Sequence, residues 1–179
     1  MKNLESIKSL RQKIVSKQDY ALNSPGVYRW WFKEEVLDWE TFSRFTNNLN
    51  LQSRIIDSET YYALYFGMSK DMKERIKWHI CNKHKPSAVK SGFLSTLRQS
   101  ISALLGMPMS ISESDVNKFM DDYCYLEWDY TETEQDAKNI EHTELTQHDY
   151  SYPLNIQGNI TVSNMYLKDL KDLRSKFKK

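Results

Sequence analysis

The hydrophobic and polar positions along the chain follow two spacings, and the spacing changes several times between the two ends. β-Branched and aromatic residues run together in three stretches, which predict strands at residues 27–32, 60–66 and 124–130. Elsewhere apolar residues recur every three to four positions between charged ones, which is typical of amphipathic helices. That spacing predicts helices at residues 3–18, 39–49, 71–84, 93–105, 114–120, 136–148 and 165–173. Because helices separate the three strands, the sequence predicts a small α/β layered structure.

Length and composition limit the class of protein. A chain of 179 residues, 40% of them hydrophobic, predicts one domain over residues 1–179, and its aromatic content is too high for disorder. No apolar run is long enough to span a membrane, and charges interrupt every apolar stretch near the N-terminus, so we expect no signal peptide. Two cysteines without a C-x-x-C motif suit a reducing compartment. We therefore expect a cytoplasmic protein without a membrane partner.

The net charge of +1 conceals an uneven distribution of charged residues. Residues 67–100 contain eight Lys or Arg and two acidic residues, whereas residues 111–150 contain twelve acidic residues and two Lys. A nearly neutral total can therefore combine a basic face, which a nucleic-acid binder needs, with an acidic face. The same pattern also suits helices with solvated charges of both signs, so alone it does not decide the partner.

Short motifs on two strands and two helices form an ordered set. In chain order, the set consists of Gly26-Val27-Tyr28, Tyr65-Phe66-Gly67, Arg75, His79, Glu141 and Pro153-Leu154-Asn155. Arg75 and His79 are four residues apart on a predicted helix, so they share a face. The set resembles the GIY-YIG nuclease superfamily, in a branch like the restriction endonucleases or related bacterial or phage enzymes.

The resemblance implies an α/β fold with a small three-stranded, mainly antiparallel sheet flanked by helices. The two tripeptide motifs usually lie closer together than they do here, so residues 33–58 are expected to form an insertion between the first two strands. An N-terminal helix within residues 1–22 and a basic C-terminal helix within residues 160–179 would complete the domain.

The resemblance also implies a divalent-metal-dependent endonuclease that hydrolyses DNA phosphodiester bonds. Glu141 would hold Mg²⁺ or Mn²⁺, because a hard cation takes oxygen ligands and keeps several waters. Arg75 would bind the phosphate through its planar guanidinium. Tyr28 or Tyr65 would position or deprotonate the attacking water, and His79 would relay a proton or contact the phosphate.

Further residues are expected to contact the DNA substrate. They are Gly67, Lys73, Lys77 and Asn155. Gly67 leaves space at the end of its strand, and the two lysines lie on the helix that carries Arg75. Cleavage of both DNA strands by a protein with one site per chain would favour a homodimer.

Three alternatives stay open at the level of the sequence. Glu144 lies on the same predicted helix as Glu141 and could hold the metal instead. His79, Cys81 and His84 are close enough in sequence to suggest zinc, but they supply only half of the usual paired ligand pattern. A binding module that keeps the fold without catalysis is the alternative to an enzyme, and the complete Tyr, Arg, His and Glu set argues against it.

Overall fold

Five strands build one antiparallel sheet within the part of the chain that the structure describes. This computed structural model describes residues 1–147 and 149–178. The strands are β1 (Asn3–Ser6), β2 (Gly26–Lys33), β3 (Ser53–Ile56), β4 (Glu59–Ser69) and β5 (Cys124–Tyr130). Their order across the sheet is β1-β5-β2-β4-β3, and every neighbouring pair is antiparallel. β2 therefore lies in the centre of the sheet, between β5 and β4.

Helices cover both faces of this sheet. They are α1 (Ile7–Val15), α2 (Glu34–Leu37), α3 (Glu40–Thr46), α4 (Met72–Cys81), α5 (Pro86–Ser91), α6 (Thr96–Leu104), α7 (Glu113–Tyr123), α8 (Glu134–Thr146) and α9 (Asn164–Lys176). Within residues 1–147 and 149–178, none of these helices combines the length and the apolar character that crossing a bilayer requires.

Alternation along β2 separates two hydrophobic cores. Tyr28 and Trp30 point to one face, where they pack with residues of α1, α4, α6 and α7. Val27 and Trp31 point to the other face, where Leu145 of α8 belongs to the same cluster. Successive side chains of a strand point to opposite faces. Because both faces are covered, six of the eight β2 residues are buried, which explains the continuous apolar run in the sequence.

The antiparallel sheet and its flanking helices confirm the expected class, but the expected number of three strands is wrong. β1 occupies the start of the predicted 3–18 helix and pairs with β5. The Ser6 hydroxyl accepts a hydrogen bond from the Ser9 amide at 3.2 Å and so begins the helix after the strand. The N-terminal helix is therefore α1 alone, and it does not fill residues 1–22.

The second missed strand lies in the expected insertion, residues 33–58, which holds α2, α3 and β3. β3 has four residues, of which three are exposed, and it pairs with the first part of β4 at the edge of the sheet. So short an edge strand buries too few side chains to give a periodic signal.

The helix boundaries differ from the predicted ones mainly at helix ends. Helix α5 was not predicted; it begins with Pro86 at its first position and is capped at its C-terminus by Gly92, whose φ is 79°. The predicted end of α8 at residue 148 lies outside the described residues, as does residue 179. The basic C-terminal helix within residues 160–179 is α9, and the single domain over residues 1–179 stays a prediction.

Candidate active site

Two tyrosines and a histidine from β2, β4 and α4 meet on one side of the sheet. The Tyr28 hydroxyl and His79 Nε2 are 2.8 Å apart, and the rings of Tyr28 and Tyr65 stack with centroids 6.3 Å apart. The Tyr65 and His79 rings are in edge contact at 6.0 Å. Tyr28 and His79 are buried, whereas Tyr65 is partly exposed. The structure thus brings together three of the five residues predicted to be catalytic.

The position of Tyr28 depends on a glycine on the neighbouring strand. Gly67 lies directly opposite Tyr28 in the register of β2 and β4. A Cβ atom on Gly67 would lie 2.6 Å from both Cζ and the hydroxyl oxygen of Tyr28. Contacts between such atoms are normally 3.5–4.0 Å, so only glycine leaves room for the ring. Gly67 was predicted to contact substrate; in the structure, its missing side chain leaves the space that the Tyr28 ring occupies.

The buried histidine is held neutral between two hydroxyl groups. Burial lowers the pKa of His79 well below its ordinary value, and the charges of Arg75 and Arg98 lower that pKa further. Its Nδ1 is 2.7 Å from the Ser95 hydroxyl, while Nε2 bonds Tyr28. A neutral imidazole has one nitrogen that donates and one that accepts, so the two bonds suit a neutral ring.

Both tyrosines lose acidity through burial. Burial raises the pKa of Tyr28 well above its ordinary value, and the neighbouring Tyr65 adds to the rise. Burial also raises the pKa of Tyr65, while its contact with the Thr96 hydroxyl at 3.4 Å and the charge of Arg75 oppose the change. In the protein without substrate, both hydroxyl groups are therefore protonated at neutral pH.

Arg75 lies on α4, one turn before His79, and is partly exposed. Its guanidinium carbon lies 4.9 Å from the centroid of the Trp78 ring. Its charge acts on the pKa of both tyrosines, of His79 and of Glu141. Asp71 does not form the i to i+4 ion pair that a surface helix would use; it instead accepts the Glu74 amide at 3.0 Å and begins α4. Arg75 is thus the cation common to all the predicted catalytic side chains.

The two candidate glutamates of α8 point to different environments. Glu141 Oε1 accepts a hydrogen bond from the Met68 amide at 3.0 Å, at the end of β4 that carries Gly67. Glu144 instead contacts Arg29 at 3.4 Å and accepts a hydrogen bond from the Tyr152 hydroxyl. Burial raises the pKa of Glu141 above its ordinary value, while the Met68 amide and Arg75 act in the opposite direction.

Side chains from the end of the chain close the free edge of β4. β3 pairs with β4 only as far as Tyr62, which leaves the later edge groups without a strand partner. Asn155 donates to the Phe66 carbonyl at 2.6 Å and accepts the Phe66 amide at 2.8 Å. The Leu154 amide donates to the Leu64 carbonyl at 2.9 Å. Asn155 was predicted to bind substrate, but both polar groups of its side chain form hydrogen bonds with the edge of β4.

A cleft of about 720 Å³ opens between this edge, α6, α8 and α9. Tyr65 and Glu141 line it, and Glu141 is the only acidic residue among the described residues that do so. Four cations also line the cleft: Lys138, Lys171, Arg174 and Lys178. Tyr28, His79 and Arg75 are not part of the lining. An open cleft with one carboxylate, one tyrosine and several cations fits an anionic polymer with a bound cation.

The cations of the cleft are not those of the basic stretch at residues 67–100. Lys73 lies 3.4 Å from Asp19 and over the Tyr20 ring, and Lys77 is exposed; neither of these predicted substrate contacts lines the cleft. Arg98 is fully buried and donates to the carbonyl groups at the end of α4.

Sequence reasoning missed several polar residues of the site. They are Ser95, Thr96, Gln99 and Arg174. The first three follow α5 in a stretch that lies outside the resemblance. The only feature of that stretch that could have indicated a site is its many hydroxyl and amide side chains. Arg174 was hidden in the amphipathic pattern of the basic C-terminal helix.

The residues of the cleft fit a hard divalent cation. Such an ion is commonly held by one or two carboxylates and keeps several waters, and Glu141 offers one carboxylate beside an open cleft. No cluster of three or more His, Cys, Asp or Glu side chains suited to a metal exists in residues 1–147 and 149–178. For zinc, His84 is already engaged, because its Nδ1 lies 2.7 Å from the Met109 carbonyl and its Nε2 accepts Arg98. His84 is therefore not available as a zinc ligand in this arrangement.

Comparison with known proteins agrees with this geometry. The family described as the GIY-YIG catalytic domain matches residues 26–176, which cover both tripeptide motifs, α4, α8 and α9. The chain therefore belongs to the GIY-YIG family, whose domain is that of a nuclease. Neither the curated proteins nor the solved structures gave a match.

Proposed function

We propose that this protein is a divalent-metal-dependent endonuclease that hydrolyses phosphodiester bonds of DNA. The observation that carries the proposal is that Tyr65 and Glu141 line one cleft whose other charged residues are cations. Arg75 acts electrostatically on both of these side chains from beside the cleft. A polyanion would be attracted to this cleft, and the single carboxylate gives a divalent cation a defined place in it.

Each side chain has a role in the proposed reaction. Glu141 would hold Mg²⁺ or Mn²⁺, which when bound supplies Lewis acidity to the phosphate. Arg75 binds the non-bridging phosphate oxygens through charge-assisted hydrogen bonds. Its position on the helix before His79 keeps it close to both tyrosines.

Proton transfer divides between the two tyrosines. Tyr65 faces the cleft, so it positions the attacking water. Tyr28 is the one whose hydroxyl has a proton acceptor, because His79 Nε2 lies 2.8 Å away and the ring is neutral. Because Tyr28 is buried behind Tyr65, Tyr65 takes the proton of the water as its own proton passes to Tyr28. The Tyr28 proton passes in turn to His79 Nε2, and Ser95 holds the imidazole from the other side.

Nicking of supercoiled plasmid DNA with Mg²⁺ or Mn²⁺ tests the proposal. Glu141→Gln keeps the shape of the side chain and the acceptor for the Met68 amide but removes the charge that holds the cation. We expect cleavage to fall by at least about 10²-fold while DNA binding survives, because the ground-state contacts to phosphate remain. Glu132→Gln, an exposed acid just before α8, is the matched control and should cleave like the wild type.

Two outcomes would contradict the proposal. Equal cleavage by wild type and Glu141→Gln would show that the carboxylate does not hold the cation. Tight DNA binding with no cleavage of plasmid or branched DNA by the wild type, with either metal, would favour the inert binding module instead.

The proposal includes a homodimer for cleavage of both strands. One cleft per chain cuts one strand, and a two-fold axis would bring a second cleft to the other. Sedimentation of the protein with and without duplex DNA tests this part. The cytoplasmic location stays a prediction.

A further inference from the structure

A second arginine reaches the cleft from α9, outside the motifs that define the family resemblance. Arg174 Nη2 donates to Gln99 Oε1 on α6 at 2.6 Å. The Gln99 side-chain nitrogen in turn donates to the Leu94 carbonyl at 2.6 Å. Both polar groups of this buried glutamine are therefore used, which fixes its orientation and holds the guanidinium at the cleft.

Among residues 1–147 and 149–178, no carboxylate pairs with the charge of Arg174. Throughout the described residues Arg174 forms no ion pair, and Gln99 is its one hydrogen-bond partner. A guanidinium carries five N–H donors, so most of them stay available to a ligand. Burial lowers the pKa of Arg174 below its ordinary value, as expected for a partly buried cation without a counter-ion. An anion that enters the cleft would supply the missing charge.

The surroundings of Arg174 indicate which anion this is. Lys171 and Lys178 line the same cleft, three residues before it and four after it. Glu141, the proposed metal ligand, and Tyr65 line this cleft as well. A row of cations next to these groups matches the repeating phosphates of a nucleic-acid strand, and a planar guanidinium matches one phosphate in particular.

We propose that Arg174 binds a DNA backbone phosphate in the cleft, as a second phosphate-binding arginine beside Arg75, and that Gln99 is the positioning residue that orients it. This inference rests on the proposed nuclease function. It assigns α9 a direct part in substrate binding and makes the contact between α6 and α9 a part of the site.

The first test measures DNA binding without cleavage. Binding of a fluorescent duplex to Glu141→Gln protein is titrated at several salt concentrations, with and without the added change Arg174→Gln. We expect Arg174→Gln to weaken binding about 10- to 100-fold and to lower the slope of log K against log salt by about one. Lys176→Gln, an exposed cation of the same helix that does not line the cleft, is the control and should keep both values.

The second test uses substitutions that keep α9 intact. Gln99→Glu keeps an acceptor for Arg174 but adds a negative charge that pairs with it, so DNA affinity should fall nearly as far as in Arg174→Gln. Arg174→Lys keeps the charge and the salt slope but loses the planar fork, so DNA affinity should fall about tenfold.

The outcomes separate this inference from the proposed function. A wild type that cleaves DNA, with Arg174→Gln and Gln99→Glu keeping its affinity and salt slope, would overturn the role of Arg174 and leave the nuclease intact. Equal losses in Arg174→Gln and Lys176→Gln would also overturn it, because they would reflect general charge only. A wild type that neither binds nor cleaves DNA would overturn both proposals.

Discussion

The contact between Gly67 and Tyr28 gives a prediction whose size can be worked out from distances. In Gly67→Ala, the new Cβ would lie 2.6 Å from Cζ and from the hydroxyl oxygen of Tyr28. Carbon atoms in contact are 3.5–4.0 Å apart, so the ring must move by about 1 Å. The bond from the Tyr28 hydroxyl to His79, now 2.8 Å, does not survive a shift of that size.

Two consequences follow from the displaced ring. Overpacking costs about 1–3 kcal/mol and the lost hydrogen bond about 1 kcal/mol, so unfolding in urea should show a loss of about 3 kcal/mol. The protein should still fold, but a 1 Å displacement of a reacting group lowers cleavage by about 10²-fold. Plasmid nicking and urea midpoints are measured on the same preparations.

A background without the ring isolates the cause. In Tyr28→Ala there is no ring for the new methyl group to meet, so adding Gly67→Ala should change the free energy of unfolding by less than about 0.5 kcal/mol. Destabilisation of the same size in both backgrounds would refute the reasoning, because the cost would then come from the backbone of β4 and not from Tyr28.

Two further predictions concern protons. Burial lowers the pKa of His84 to about 4 and also lowers the pKa of His79, so the unfolded chain takes up these protons at a higher pH than the folded protein does. Stability, measured by urea midpoints, should therefore fall as the pH drops from about 6.5 towards 4. His84→Gln should reduce that dependence, whereas exposed His142→Gln should not, and a flat profile in the wild type would contradict the burial argument. In plasmid nicking, Tyr65→Phe and Tyr28→Phe should each lower turnover by about 10²–10⁴-fold with DNA binding unchanged, because each removes a hydroxyl from the proton relay. Full turnover in either variant would remove that tyrosine from the relay.

The sequence predicted the parts of the site that depend on local spacing. The shared face of Arg75 and His79 follows from their spacing within one helix. The contact between Gly67 and Tyr28, by contrast, depends on the pairing of β2 with β4. The choice between Glu141 and Glu144 could not be made, because residues three apart on α8 share a face until the sheet edge separates them.

Contacts between segments that are far apart in the sequence could not be predicted from the spacing of residues within one element. Arg174 reaches Gln99 across 75 residues, and its helix has an ordinary amphipathic pattern. Arg98 was counted with the surface charges, but it is buried at the end of α4, where carbonyl groups accept its donors. The short strands β1 and β3 were missed because partner strands, and not their own residues, make them strands.

The side chains that close the edge of β4 connect catalysis to protection against aggregation. An open strand edge is a template for pairing with another chain, and here Glu141 and Asn155 occupy the groups that such a chain would use. The carboxylate proposed to hold the metal therefore also blocks the edge of β4 from pairing with another strand. A substitution that detaches α8 from β4 would abolish activity and also expose the unpaired edge of β4. Loss of function and loss of solubility should therefore occur together in such variants.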